Sequence, residues 1–271
     1  AVAKALEMDL AGVLTCATHI HTGGPLFTWA DFCHTDTVYM DFLAQRMIDA
    51  AVLAQKEKRA VKIGFSRGYD DRLAHYRDFV MADGTYRTNP PIDAEKHPFG
   101  AIDPEVGVLR IDTETGEPYG VIVNYACHTD CVGGTEFSSD FPGAMRDTLR
   151  KLYGAAFMPV FVNGFFGNLN HVDFEQGTHR VEGYYRSMGR RLAAEASRAM
   201  ETALLSADID IGMACETITL PTREPDDALL AWADKIEQDA ANQSVVERHY
   251  ASEAKRIKAL GVRKIPLVMQ V

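Results

Sequence analysis

The sequence predicts an α/β protein, a layered sandwich whose mixed sheet is flanked by helices, truncated at both ends. Three observations carry this reading. Short apolar runs alternate with stripes of helical period along the whole chain. The 271 residues, 46% apolar and 24% charged, are enough to bury a substantial core in one large or two modest domains. Both ends are apolar where natural termini are usually polar and loose, and the last residues, "IPLVMQV", read as a buried strand.

The elements follow in order. Residues 10–19, "LAGVLTCATH", form an apolar run that reads as a buried strand. Between 35 and 58, Tyr39, Phe42, Leu43, Met47, Ala50, Ala51 and Ala54 make a helical stripe. Val61, Ile63 and Phe65 alternate as a strand, and 66–104, rich in Gly, Pro, Asp and Arg, reads as a long loop. "EVGVLRI" and "YGVIVNYAC" flank "DTETGEP" and predict a hairpin. A helix then opens at Ser138, Ser139 or Asp140 and closes near Gly154. "FMPVFVNG" is a further buried strand; helices are expected at 179–204, 225–241 and 244–260, with a strand near 209–220.

Charge and composition exclude several classes of function. Net charge is −10 and Lys and Arg form no long basic run, so nucleic acid is not an expected partner. No apolar stretch approaches the roughly 18 to 20 residues of a transmembrane segment, and no signal-peptide pattern opens the given chain. The five cysteines, Cys16, Cys33, Cys127, Cys131 and Cys215, are odd in number and scattered, which fits structural thiols better than a disulfide framework or a zinc knuckle.

Chemistry concentrates where apolar runs break. In "ATHIHTGGP", His19 and His21 stand two apart before two glycines; on a strand they would share one face, about 6 to 7 Å apart. Such a pair is either a metal site or two polar residues at a loop entrance. "VIVNYACHTDCVGG" sets His128 in the same context, and "FVNGFFGNLNHVDF" breaks into Asn163, Gly164, Gly167, Asn168, Asn170 and His171. Strand ends of open α/β sheets are where such groups meet in one pocket.

These motifs resemble the neutral/alkaline, non-lysosomal ceramidase family. "THIHTGGP" is similar to its Thr-His-Thr-His-Ser-Gly-Pro motif, and the segment from "DPEVGVLRI" through "SSDFPGAM" resembles the one with its second zinc histidine. "HYRDFVMADGTYRTNP" resembles the stretch with a substrate-side arginine, and "FVNGFFGNLN" falls where the family has a Ser-Asn-x-Gly-Asp loop. The similarity covers residues 8–175, with the blocks in the family's order. It implies a catalytic domain over 1–271 whose C-terminal part is absent. The implied activity is zinc-dependent hydrolysis of the N-acyl bond of a small-molecule or lipid-like amide. It makes His19 and His128 zinc ligands, His21 the residue that polarises the substrate carbonyl, and Arg77 the substrate-side arginine.

Two departures qualify the match. Gly164 stands at the serine and Asn168 at the aspartate of the family loop, so zinc-activated water becomes the implied nucleophile. The family's remaining ligands, a glutamate and a tyrosine, would fall beyond Val271, although Asp140 or His171 could supply a ligand locally. Asp140 also sits where a helix cap is needed. A metal-dependent esterase of another family and a non-catalytic relative that only binds are the competing readings.

Overall fold

A computed structural model of the chain describes residues 1–28, 33–177 and 181–271. The helices are α1 (Val2–Ala5), α2 (Thr37–Lys56), α3 (Asp140–Tyr153), α4 (Tyr184–Met200), α5 (Asp227–Gln238) and α6 (Val245–Leu260). The strands are β1 (Val61–Tyr69), β2 (His75–Tyr76), β3 (Asp78–Met81), β4 (Tyr86–Thr88), β5 (Lys96–Pro98) and β6 (Glu105–Thr113). They continue with β7 (Pro118–Tyr125), β8 (Met158–Asn163), β9 (Leu169–Asn170), β10 (Cys215–Pro221) and β11 (Lys264–Gln270).

The chain divides into two compact units. One, built from 15–23 and 58–210, contains a mixed sheet in the order β1-β6-β7-β8, antiparallel except for the β7–β8 pair. The predicted hairpin is β6–β7, turned through "TETG" with Gly116 at φ 91°. Alternation decides which face is covered. Val106, Val108, Val121, Val123, Tyr125 and Phe161 point to the helices and are buried, together with Phe141, Met145 and Leu149 of α3 and Met188, Leu192 and Ala196 of α4. The opposite row, Phe65–Leu109–Ile122–Val160, lies in register across all four strands, with Phe65 and Val160 exposed. The α3–α4 contact is close: a Cβ on Gly189 would stand 2.5 Å from Ala144 Cβ and 2.6 Å from the Phe141 carbonyl oxygen.

The other unit, from 1–14, 24–57 and 211–271, contains α1, α2, the β10–β11 hairpin and the α5–α6 pair. Ala233, Ile236, Ala251 and Ala254 form the α5–α6 core, with Leu229 and Trp232 against it. Caps start these helices. Asp36 and Asp226 accept from backbone amides of α2 and α5, and Ser244 and Glu247 form a reciprocal capping box on α6.

Several expectations change. Residues 13–20 have no regular secondary structure and join no ladder, and 10–12 form a 3-10 turn, so the run at 10–19 is not a strand. Its apolar groups Leu10 and Leu14 are exposed, so burial does not enforce pairing. β11 is a strand but is exposed rather than buried. The 66–104 stretch is not one loop: β1 runs on to Tyr69, and β3, β4 and β5 form a small sheet around the β3 centre. Of the helix expected at 179–204, residues 179 and 180 lie outside the described residues, and α4 begins at Tyr184. Among the described residues, no helix is long and apolar enough to cross a membrane.

Candidate metal centre

The parallel β7–β8 pair sets the site. Both strands run the same way, so the loops after Tyr125 and after Asn163 leave the sheet at the same end. The first loop delivers His128, whose amide donates to the Leu169 carbonyl at 3.0 Å. The second brings Phe166, whose carbonyl oxygen lies 3.1 Å from His128 Nδ1. A carbonyl can only accept, so Nδ1 carries the proton and Nε2 keeps its lone pair for a ligand.

Residues 15–23 are tied across this end. Thr129 Oγ1 donates to the Thr18 carbonyl at 2.6 Å, and the His21 amide donates to the Thr129 carbonyl at 3.2 Å. His19, between these two ties, adopts φ 58°, a left-handed conformation that costs a non-glycine residue roughly 1 to 2 kcal/mol. The segment is not a pleated strand, so the regular two-residue alternation inferred for His19 and His21 does not apply. The left-handed turn nonetheless brings their ring centroids to 5.1 Å, and each reaches His128, at 4.7 and 5.4 Å. Donor atoms of His19, His21 and His128 all lie within 4.8 Å of one another. Phe166 packs on His19 and His128 at 5.1 and 5.0 Å, walling one side.

Electrostatics favour neutral imidazoles. Burial lowers the His19 pKa, with the charges of His21 and Arg77 acting the same way. Burial likewise lowers that of His128, against the opposing hydrogen bond to Phe166. Arg77 sits between β2 and β3 and donates through Nε and Nη2 to the Gly167 carbonyl at 2.9 and 2.6 Å. Its amide donates to the Asn168 carbonyl at 3.0 Å, so it is fixed to the same loop that carries Phe166.

One residue was not singled out from the sequence. Asp130 accepts from Asn170 Nδ2 at 2.8 Å and lies 3.1 Å from His171 Nδ1. Burial opposes its charge, but the bond and charge of His171, with His128 and Asn170, outweigh that and hold its pKa below the ordinary value. Two buried polar atoms beside the cluster, Thr22 Oγ1 and Asn163 Oδ1, have no hydrogen-bond partner among the described residues.

No protein-family model matches this chain, and no curated protein does. Solved structures do. The neutral ceramidase of Pseudomonas aeruginosa aligns with a TM-score of 0.59 at 17% identity, over 81% of this chain and 36% of that one. A ceramidase complexed with C2 gives 0.57 at 16% identity, over 77% and 34%. This chain has the ceramidase fold. It spans about a third of the length of either ceramidase chain.

Two positions weighed from the sequence take definite places in this ceramidase-like fold. Asp140 is buried, and both its oxygens are committed: Oδ2 accepts from the Val132 amide at 2.9 Å and Oδ1 from the Phe141 amide at 2.6 Å. It clamps the loop between His128 and α3, which leaves Ser139 as the cap position. Burial raises its pKa. Gly164 lies against Ala126, where a Cβ would meet Ala126 Cβ at 3.0 Å and its Cα at 3.3 Å. A side chain at this position would be tight and would require Ala126 to shift by a few tenths of an ångström.

Proposed function

We propose that the chain carries the metal-binding part of a zinc-dependent hydrolase of N-acyl amide bonds, ceramidase-like in its reaction. The observation that carries this reading is the convergence of three imidazoles at one sheet end of a ceramidase fold. The donor set fits the ion: imidazole nitrogen is a regular zinc ligand, and burial, which lowers the pKa of His19 and His128, favours their unprotonated form.

His19 and His128 would hold zinc. When bound, zinc supplies a Lewis acid and a water of pKa near 7. His21 hydrogen-bonds the substrate carbonyl oxygen as negative charge develops there. Arg77, immobilised on Gly167, orients the acyl group and keeps a positive charge that disfavours protonation of His19 and His128. Phe166 shields one face of the histidines from water. The substrate class is a small-molecule or lipid-like amide.

Metal analysis with a panel of acyl amides and esters tests the proposal. His19→Ala and His128→Ala should lose zinc and activity together. His21→Ala should keep zinc while turnover falls about 100-fold, the scale of one lost oxyanion donor. Loss of zinc in His21→Ala would make His21 a third ligand, an arrangement its 4.8 Å approach also supports. A second reading, a binding protein of the same fold, is favoured by Gly164; zinc without hydrolysis of any amide or ester would establish it.

A further inference from the structure

A groove is lined by residues of α3, α4 and the segment that leads into α3, and it includes none of the histidines or Arg77 assigned above. It has a volume of about 430 Å³, within the range of small-molecule sites, and it spans the α3 entrance and the first turns of α4. Its walls include Lys151 from α3 and Arg186 and Arg190 from α4, one turn apart on the same helix face.

The cations are unspent. Among the described residues, no carboxylate lies within ion-pair distance of Lys151, Arg186 or Arg190; Arg186 only stacks on Tyr185, at 4.7 Å. The single acidic residue of the lining, Asp147, is held by Arg146 through bonds of 3.0 and 3.1 Å. Ser138 Oγ accepts from the Asp140 amide at 3.0 Å, which leaves its proton to give, and Ser139 makes no cap bond. The groove therefore sets three cations with no ion-pair partner among the described residues beside one carboxylate that Arg146 already engages through Oδ1. An anion complements such a lining, and paired guanidinium forks match phosphate oxygens best.

We propose that the α3–α4 groove binds a small phosphate-bearing anion. Titration calorimetry at physiological salt, with pyrophosphate in one arm and phosphatidylglycerol vesicles in the other, tests this. Pyrophosphate should bind saturably, and Arg186→Glu and Arg190→Glu should each weaken it about 10-fold or more. Arg248→Glu, the same charge change on α6, should leave binding intact. His128→Ala should also bind normally, which separates this site from the metal centre and from the fate of the function proposed there. Vesicle binding with the same pattern of loss, in place of pyrophosphate binding, would place the phosphate on a lipid headgroup. No binding in either arm overturns the proposal, as does loss in His128→Ala or equal losses in the groove and Arg248 variants. The groove side chains are exposed, so these variants should unfold thermally like the parent chain.

Discussion

Ala126 occupies the ground that a side chain at position 164 would need, and its backbone cannot yield as a flexible side chain could. Gly164→Ser should therefore cost about 1 to 3 kcal/mol in urea unfolding, the usual penalty of overpacking, and should not raise N-acyl hydrolysis. A stable, more active Gly164→Ser chain would show that the loop has room after all. Protons act on the same few residues. Folded His19 and His128 titrate below the ordinary histidine pKa of 6.5, so their stabilising contribution is complete above that pH. It disappears as pH falls through the lowered values, because the unfolded chain then binds more protons. The metal-free chain should lose urea resistance between pH 7.5 and 5, and a His19→Gln, His128→Gln double variant should lose less. Much of this site was legible: His19, His21 and His128 each follow an apolar run, and glycines mark the breaks. Asp130 was not, because its meaning depends on His171, 41 residues further on. An aspartate two places after a histidine otherwise reads as an ordinary loop acid.

The helices α3 and α4 meet so closely that only glycine fits at position 189. Gly189→Ala would gain helix propensity of about 1 kcal/mol, yet it would force apart a contact with backbone atoms on the other side. The steric term should dominate, with a net loss of about 2 kcal/mol or more in chemical denaturation. A neutral or stabilising result would mean that the pair slides without cost. Where the sequence misled, the element lacked an environment. The helices α2, α5 and α6 were readable from the sequence because helical period is a local signal, and the structure adds their caps, Asp36, Asp226 and Ser244. The run at 10–19 had apolar content but no partner strand. The strands β2 to β5 are two to four residues long, too short to show a period.

For the whole molecule, the proposed zinc site predicts a ligand-dependent stability. Zinc at 100 times its dissociation constant should stabilise the folded chain by about 2.7 kcal/mol and raise the melting temperature, and His128→Ala should abolish the shift. An unchanged melting temperature in the parent chain would count against the site. The lone parallel pairing at β7–β8 carries a consequence for folding order. Antiparallel β6–β7 closes through a tight turn, but β8 can join only after α3 has crossed over the sheet. Thr18 meets Thr129 across 111 residues, a longer closure than either strand pairing. The histidine cluster therefore matures late. A nascent or unfolding chain offers an ion single, distant imidazoles instead of a nest. Metal would lock a finished fold without having guided it, and release on unfolding should be abrupt rather than gradual.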